Sequence, residues 1–206
     1  EKKRELEDIS MGEFLKIISA IIKESKLSYD IFLLADMITG LCMNSKYKFP
    51  IYNFGEKICK EYNAKYHMGY FSTLFYYEGE NAIKKFFEYV ESEQIVIEEN
   101  VKDIAFHTRL ISVINEIEKR PGQYIGRDNV KNIRAFLEGY FSGEDLNIGV
   151  KIGTSIEKFD NEFGKCVSEK YELYENVEWY YKLEFITVGL RQYLKEFIKC
   201  LNDFYG

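Results

Sequence analysis

Glu118-Lys-Arg-Pro-Gly-Gln-Tyr-Ile-Gly126 is a turn set between two apolar segments, and its reading decides the fold. Ahead of it, residues 104–117 place Phe106, Leu110, Val113, Ile114 and Ile117 at three- and four-residue spacing, the repeat of an amphipathic helix. Pro121 disfavours helical geometry at Arg120, so that helix should stop there or just before. Gly122 and Gly126 permit positive φ, and Asp128 is a suitable cap for a second helix over residues 129–141. Val130, Ile133, Ala135, Phe136, Leu137 and Tyr140 are spread around that helix, which predicts that most of its circumference is covered. Tyr124 and Ile125 are expected to plug the gap between the two helices. The stretch then acts as a staple and needs no ligand to explain it.

The same helical period recurs on both sides of the turn. Ser10-Met-Gly-Glu13 forms a capping box ahead of Phe14, Leu15, Ile17, Ile18, Ile21 and Ile22, and predicts helices over 11–25 and 29–43. Shorter helices are expected from Asn53 to Tyr62, through the aromatic stretch Tyr66 to Tyr77, and from Asn81 to Glu91. The β-branched run Gln94 to Glu98 is either a short strand or the linker between halves. Residues 142–153 read as a polar, glycine-rich connection. Thr154-Ser-Ile-Glu157 is a second capping box, opening a helix that carries Ile156, Phe159, Phe163 and Val167. The expected fold is all-α, with about nine or ten helices.

Those helices repeat in order. Helices 104–119 and 129–141 correspond to 11–25 and 29–43, and Gly139-Tyr140 falls where Gly40-Leu41 does. Phe54-Gly-Glu-Lys-Ile-Cys-Lys-Glu-Tyr62 aligns without gaps on Phe163-Gly-Lys-Cys-Val-Ser-Glu-Lys-Tyr171, and residues 82–90 align on 193–201. The period of about 100 residues exceeds that of solenoid repeats. The expected organisation is a duplicated unit, residues 1–95 and 96–206, packed closely or as one compact body. The proline turn belongs to the second unit alone.

Composition narrows the function classes. With 46% hydrophobic residues, 17 Tyr and 16 Phe, the chain is too apolar for disorder. No uncharged apolar run approaches the ~18–20 residues of a membrane span, and no signal-type pattern opens the chain, so a cytoplasmic protein is expected. The formal charge of −6 argues against a general nucleic-acid binder and fits a basic partner. Cys42, Cys59, Cys166 and Cys200 are scattered among apolar residues, and His67 and His107 stand in unlike contexts. Buried free thiols are expected, with no metal site and no cofactor. No Ser-His-Asp, Cys-His or phosphate-loop arrangement is present, and spacing singles out no carboxylate pair, so no catalytic residue is assigned.

Two resemblances attach to the turn. Arg120-Pro-Gly-Gln-Tyr-Ile-Gly126 resembles the opening of the ATPase domain of type II topoisomerases. The Asp-Asn pair and glycine-rich lid motifs of that nucleotide site do not follow, however, which excludes the assignment. Over residues 104–204 the chain resembles a family of small, uncharacterised bacterial proteins with a K-R-P-G-x-Y-[IL]-G turn. Its members are often encoded near polymorphic toxin systems, and some are regarded as immunity proteins. The matching positions are Arg120, Pro121, Gly122, Tyr124, Gly126, Gly139, Tyr140 and Trp179. The family usually has Met where Gln123 stands, and a basic residue nearer Glu118. The resemblance implies a protein that neutralises a basic toxin domain by covering it.

The residues suited to such covering interleave acids with large aromatics: Glu169, Glu172, Tyr174, Glu175, Glu178, Trp179 and Tyr180. Carboxylates steer the encounter with a basic surface, and aromatics supply anchors. The counterpart in the first half is Tyr62, Tyr66, Tyr70, Tyr76, Tyr77, Glu78 and Glu80. Arg120 and Arg127 flank the turn and are candidates to receive an anion, or else to pair with nearby carboxylates and helix carbonyls. The expectation is a protein-binding module. The alternative is a helical adaptor or structural protein that self-associates through the same faces.

Overall fold

Asp30 precedes an apolar run and accepts the backbone N–H bonds of Phe32 and Leu33, both at 2.9 Å, which starts the helix on which the fold is assembled. In the computed structural model, residues 11–49, 51–64, 70–90, 96–97, 104–127, 129–174 and 176–206 are described. Among them the chain is all-α. The first five helices are α1 (Met11–Glu24), α2 (Ile31–Asn44), α3 (Ile51–Glu61), α4 (Tyr70–Glu78) and α5 (Ala82–Val90). Five more follow: α6 (Phe106–Lys119), α7 (Val130–Ile148), α8 (Thr154–Tyr171), α9 (Trp179–Ile186) and α10 (Gly189–Tyr205). The β-branched run does form a strand: β2 (Val96–Ile97) pairs antiparallel with β1 (Tyr47–Lys48).

Buried apolar side chains fall into two clusters. One gathers residues of α1, α2, α4 and α5 with Ile58 and Ala135, and the other residues of α6 to α10 with Ile125. The clusters meet where α2 lies along α7. Contacts between these helices ascend together, Asp36 with Asn132, Gly40 with Phe136 and Tyr140, and Asn44 with Tyr140 and Asn147, so the pair is parallel. A methyl on Gly40 would overlap the Phe136 carbonyl oxygen, and one on Gly139 would overlap that of Met37. The two backbones touch, and only glycine fits at the crossing.

Several local expectations fail here for one shared reason, that contacts with neighbouring elements override local signals. The second helix of the turn does not end at 141. It runs through Ser142 and Gly143 to Ile148, because Gly143 lies in the helix against the backbone of Asn44, and Gly149 in the left-handed region ends it. Asn129 caps this helix by accepting the Asn132 N–H at 3.1 Å, while Asp128 lies outside the described residues, as does Ser10. Thr154-Ser-Ile-Glu157 is not a capping box: Gly153 is the N-cap, and the Thr154 hydroxyl donates to Lys151 O. Asp145 of α7 reaches across instead and accepts the N–H groups of Gly153 and Ser155, at 2.8 and 2.9 Å.

The proline turn is a single 3-10 turn over Pro121–Gln123, with the proline at its first position. Gly122 and Gly126 permit positive φ but neither adopts it; among the described residues the glycines that do are Gly79, Gly149, Gly153 and Gly189. Ile125 is buried, and Tyr124 packs half-buried against the second cluster, as a staple requires. The turn is also tied to the first half, since Gly126 N–H donates to Asp36 Oδ1 at 2.8 Å.

Asp36 therefore joins the halves, accepting from Gly126 and from the Asn132 amide. Burial pushes its carboxyl up from 3.8 to about 7; both hydrogen bonds and Arg127 pull the other way, and Asp30 adds to the rise. Between pH 3.8 and about 7 the folded chain holds a proton that the unfolded chain has released, so stability falls as pH rises through that window. Melting temperatures of wild type and Asp36→Asn, measured at about pH 4.5 and about pH 8, should diverge at the higher pH, where only the wild type carries the buried charge. A pH-independent difference between the two proteins would contradict this titration.

Candidate functional site

Seven acidic and aromatic positions were expected to form one surface, and the structure separates them. Trp179 and Tyr180 are 1% and 3% exposed, so they are core residues and not surface anchors. Trp179 stacks on Phe197 and meets Phe163 edge-on, because α9 turns this side onto α8 and α10. Tyr174 is 88% exposed, and Glu169 and Glu172 are exposed around it on the end of α8. Glu172 takes a left-handed conformation that ends α8. Glu178 is half-buried and holds Lys26 at 2.7 Å. Glu175 lies outside the described residues.

The sequence reading missed the other side of α9. Tyr181 and Phe185, four residues apart, are exposed opposite Trp179 and Leu183, with Val188 just beyond the helix. Phe185 is 84% and Val188 87% exposed. With Tyr174 and Val177, this short segment carries five exposed large apolar side chains beside Glu172, Glu178 and Glu184. The first-half counterpart retains exposed Tyr76 and Tyr77, while Tyr62 donates its hydroxyl to Glu78. Tyr66 and the Tyr70 side chain fall outside the described residues.

Turn residues carry structure. The Arg120 N–H donates to Glu116 O, its carbonyl accepts from Gln123, and its side chain is exposed. Gly122 faces open space. Arg127 is engaged, with its guanidinium 3.8 Å over the Phe32 ring and 3.5 Å from Asp30.

A polar cluster lies in a cleft between the Glu24–Lys26 segment, α7 and α8, with a volume of about 300 Å³. Arg134 donates to both oxygens of Asp160, at 2.9 and 2.8 Å, and its Nε is 3.2 Å from Glu138 Oε1. Trp179 Nε1 donates to Asp160 at 2.8 Å, and Tyr29 donates its hydroxyl to Glu138 at 2.5 Å. Burial raises the Asp160 carboxyl above its ordinary range against the pull of Arg134, and burial followed by Glu138 raises Tyr29 far above its own. A wider hollow of about 570 Å³ adjoins at Lys26, Asp160 and Asn161. On its wall Lys182 donates to Ser168 Oγ at 2.5 Å, while the Ser168 hydroxyl proton goes to Gly164 O at 2.9 Å. That proton is committed to a helix carbonyl, so the pair lacks the arrangement of an activated serine.

Only Cys200 of the four free thiols is fully buried, and the other three are half-buried. Among the described residues no group of His, Cys, Asp and Glu can hold a metal ion. No helix among them is long and apolar enough to cross a membrane. Compared with known proteins, the chain matches no family model, no curated protein and no solved structure.

Proposed function

We propose that the protein is a binding module that covers a basic protein partner, in the manner of an immunity protein occluding a toxin domain. The observation that carries this reading is the exposed face of α9. Phe185 and Val188 are almost wholly open to solvent, adjoin Tyr174, Val177 and Tyr181 along the chain, and are accompanied by Glu172, Glu178 and Glu184. Large apolar groups left in water within an acidic surround suit a partner that is basic around an apolar spot. The net charge of −6 favours encounter with such a partner. No cofactor or catalytic residue is required. The resemblance of residues 104–204 to proteins encoded near toxin systems supports the same reading, and with it a cytoplasmic location. We also take the halves as copies of one unit. Supporting this, Gly40 and Gly139 occupy equivalent places and meet at the crossing, and Tyr62 and Tyr171 each donate to a glutamate.

The test is capture from native lysate with tagged wild type and Phe185→Glu, each at low and high salt. A one-to-one basic partner should be retained by wild type, weakened by salt, and bound at least about 30-fold less tightly by the variant, the loss expected of a central anchor. A partner held equally by both proteins would sink the assignment of this face. Recovery of the bait alone, with a concentration-dependent dimer that Phe185→Glu abolishes, would assign the face to self-association.

A further inference from the structure

We infer that the cleft between α7 and α8 receives one long basic side chain of the partner, held by Glu138 and Asp160. This rests on the docking reading above and extends it to a defined chemical contact.

The floor of the cleft has an excess of negative charge. Two carboxylates, Glu138 and Asp160, share the single guanidinium of Arg134, and the three side chains are only 3%, 9% and 4% exposed. Asp160 takes both terminal nitrogens of Arg134, which leaves Glu138 the poorer share. Its Oε1 lies 3.2 Å from Arg134 Nε without forming a hydrogen bond, and neither atom has another partner. A buried carboxylate oxygen with no donor is costly, and a water molecule would satisfy its hydrogen bond but not its charge. At the rim Lys26 acts on Asp160 from a distance, and the direct ion pairs of both rim lysines go to other carboxylates. Lys26 is held by Glu178 at 2.7 Å and Lys151 by Glu24 at 3.0 Å. A cation brought from outside completes the set, and an anion is repelled.

The location fits a side chain delivered by a docked protein. The wider hollow continuous with the cleft is walled by Asn176, Val177 and Glu178, the same connection that presents Tyr174 toward solvent. A partner that reaches Tyr174 and Val177 thus lies at the mouth of the hollow, and the cleft has room for a lysine or arginine side chain.

Trp179 gives a direct readout. It is the only tryptophan in the chain, and its indole N–H donates to Asp160, so one amide-type resonance reports on the cleft. The probe is N-acetyl-argininamide, a monocation that mimics an arginine residue, with the citrulline analogue as its neutral isostere. Titration into ¹⁵N-labelled protein should shift the indole resonance saturably, with at least about ten-fold weaker binding for the citrulline analogue, as expected when a charge-assisted pair is lost. Glu138→Gln should weaken the arginine probe to a similar degree. Because that variant alters a buried network, Asn161→Phe provides a second arm: an exposed α8 position common to both lobes is filled without touching the charges. Absence of a saturable shift, equal binding of the two probes, or undiminished binding to Asn161→Phe would overturn the inference. If Phe185→Glu abolishes partner capture but the probe does not bind, the cleft assignment falls and the docking reading stands. If the probe binds and no partner is captured, the docking reading falls, and with it the partner as the source of the cation, while the affinity of the cleft for a guanidinium group stands.

Discussion

Replacing Gly139 by alanine is expected to destabilise the protein by about 3 kcal/mol, although alanine is intrinsically the better helix former by about 1 kcal/mol. The added methyl would lie 2.8 Å from Leu41 N and overlap the carbonyl oxygen of Met37. Both are backbone atoms of a helix, fixed by its own hydrogen bonds, so no side-chain rotation relieves the clash. α2 and α7 would have to separate, opening the region where the two clusters meet. A domain typically has about 5–15 kcal/mol of stability in all, so much of it would go. Gly122→Ala is the internal control. It lies in the proline turn, but a methyl there meets nothing within 4 Å, and the effect should stay within about 0.5 kcal/mol. Urea denaturation of the three proteins decides the matter. A Gly139→Ala variant within about 1 kcal/mol of wild type would mean that the helix backbones are not in contact.

Arg134→Met should cost a comparable amount, about 3–5 kcal/mol at neutral pH, through charge. Methionine fills much of the volume but leaves Glu138 and Asp160 buried without a counterion. The loss should shrink toward about pH 4, where protonation of Asp160, whose carboxyl burial already raises, removes one of the orphaned charges. It should also be partly recovered when Glu138→Gln and Asp160→Asn are added to Arg134→Met. A loss that is constant with pH, or a triple variant no better than the single one, would show that packing and not charge dominates.

How much of this was legible beforehand depended on periodicity. The stripes of α1 and α6, and the stop at Arg120, follow from apolar spacing and a proline, which act within a few residues. The even covering of α7 was legible as well, and it carries a further implication. A helix buried on all sides forces any charge on it to be buried too, and Arg134 and Glu138 sit in its midst. Asp36, the one charged residue of α2, carried the same message. The alternation of acids and aromatics over residues 169–184 has no helical period, and so could not tell Trp179, turned inward, from Phe185, turned outward. The end of α7 was illegible because glycine near a helix terminus usually marks a stop. Gly143 instead marks an approach by Asn44 from the other half, which no local pattern reports.

The crossing of α2 and α7 has a consequence for how the chain is made. Its contacts join residues 96 to 103 positions apart. At about 5–20 residues per second, a ribosome that has delivered α2 needs roughly 5–20 s to deliver α7. Through that interval α2 lacks the helix whose backbone lies against Gly40. Closing so long a loop also costs more entropy than local helix packing, which slows formation of the crossing.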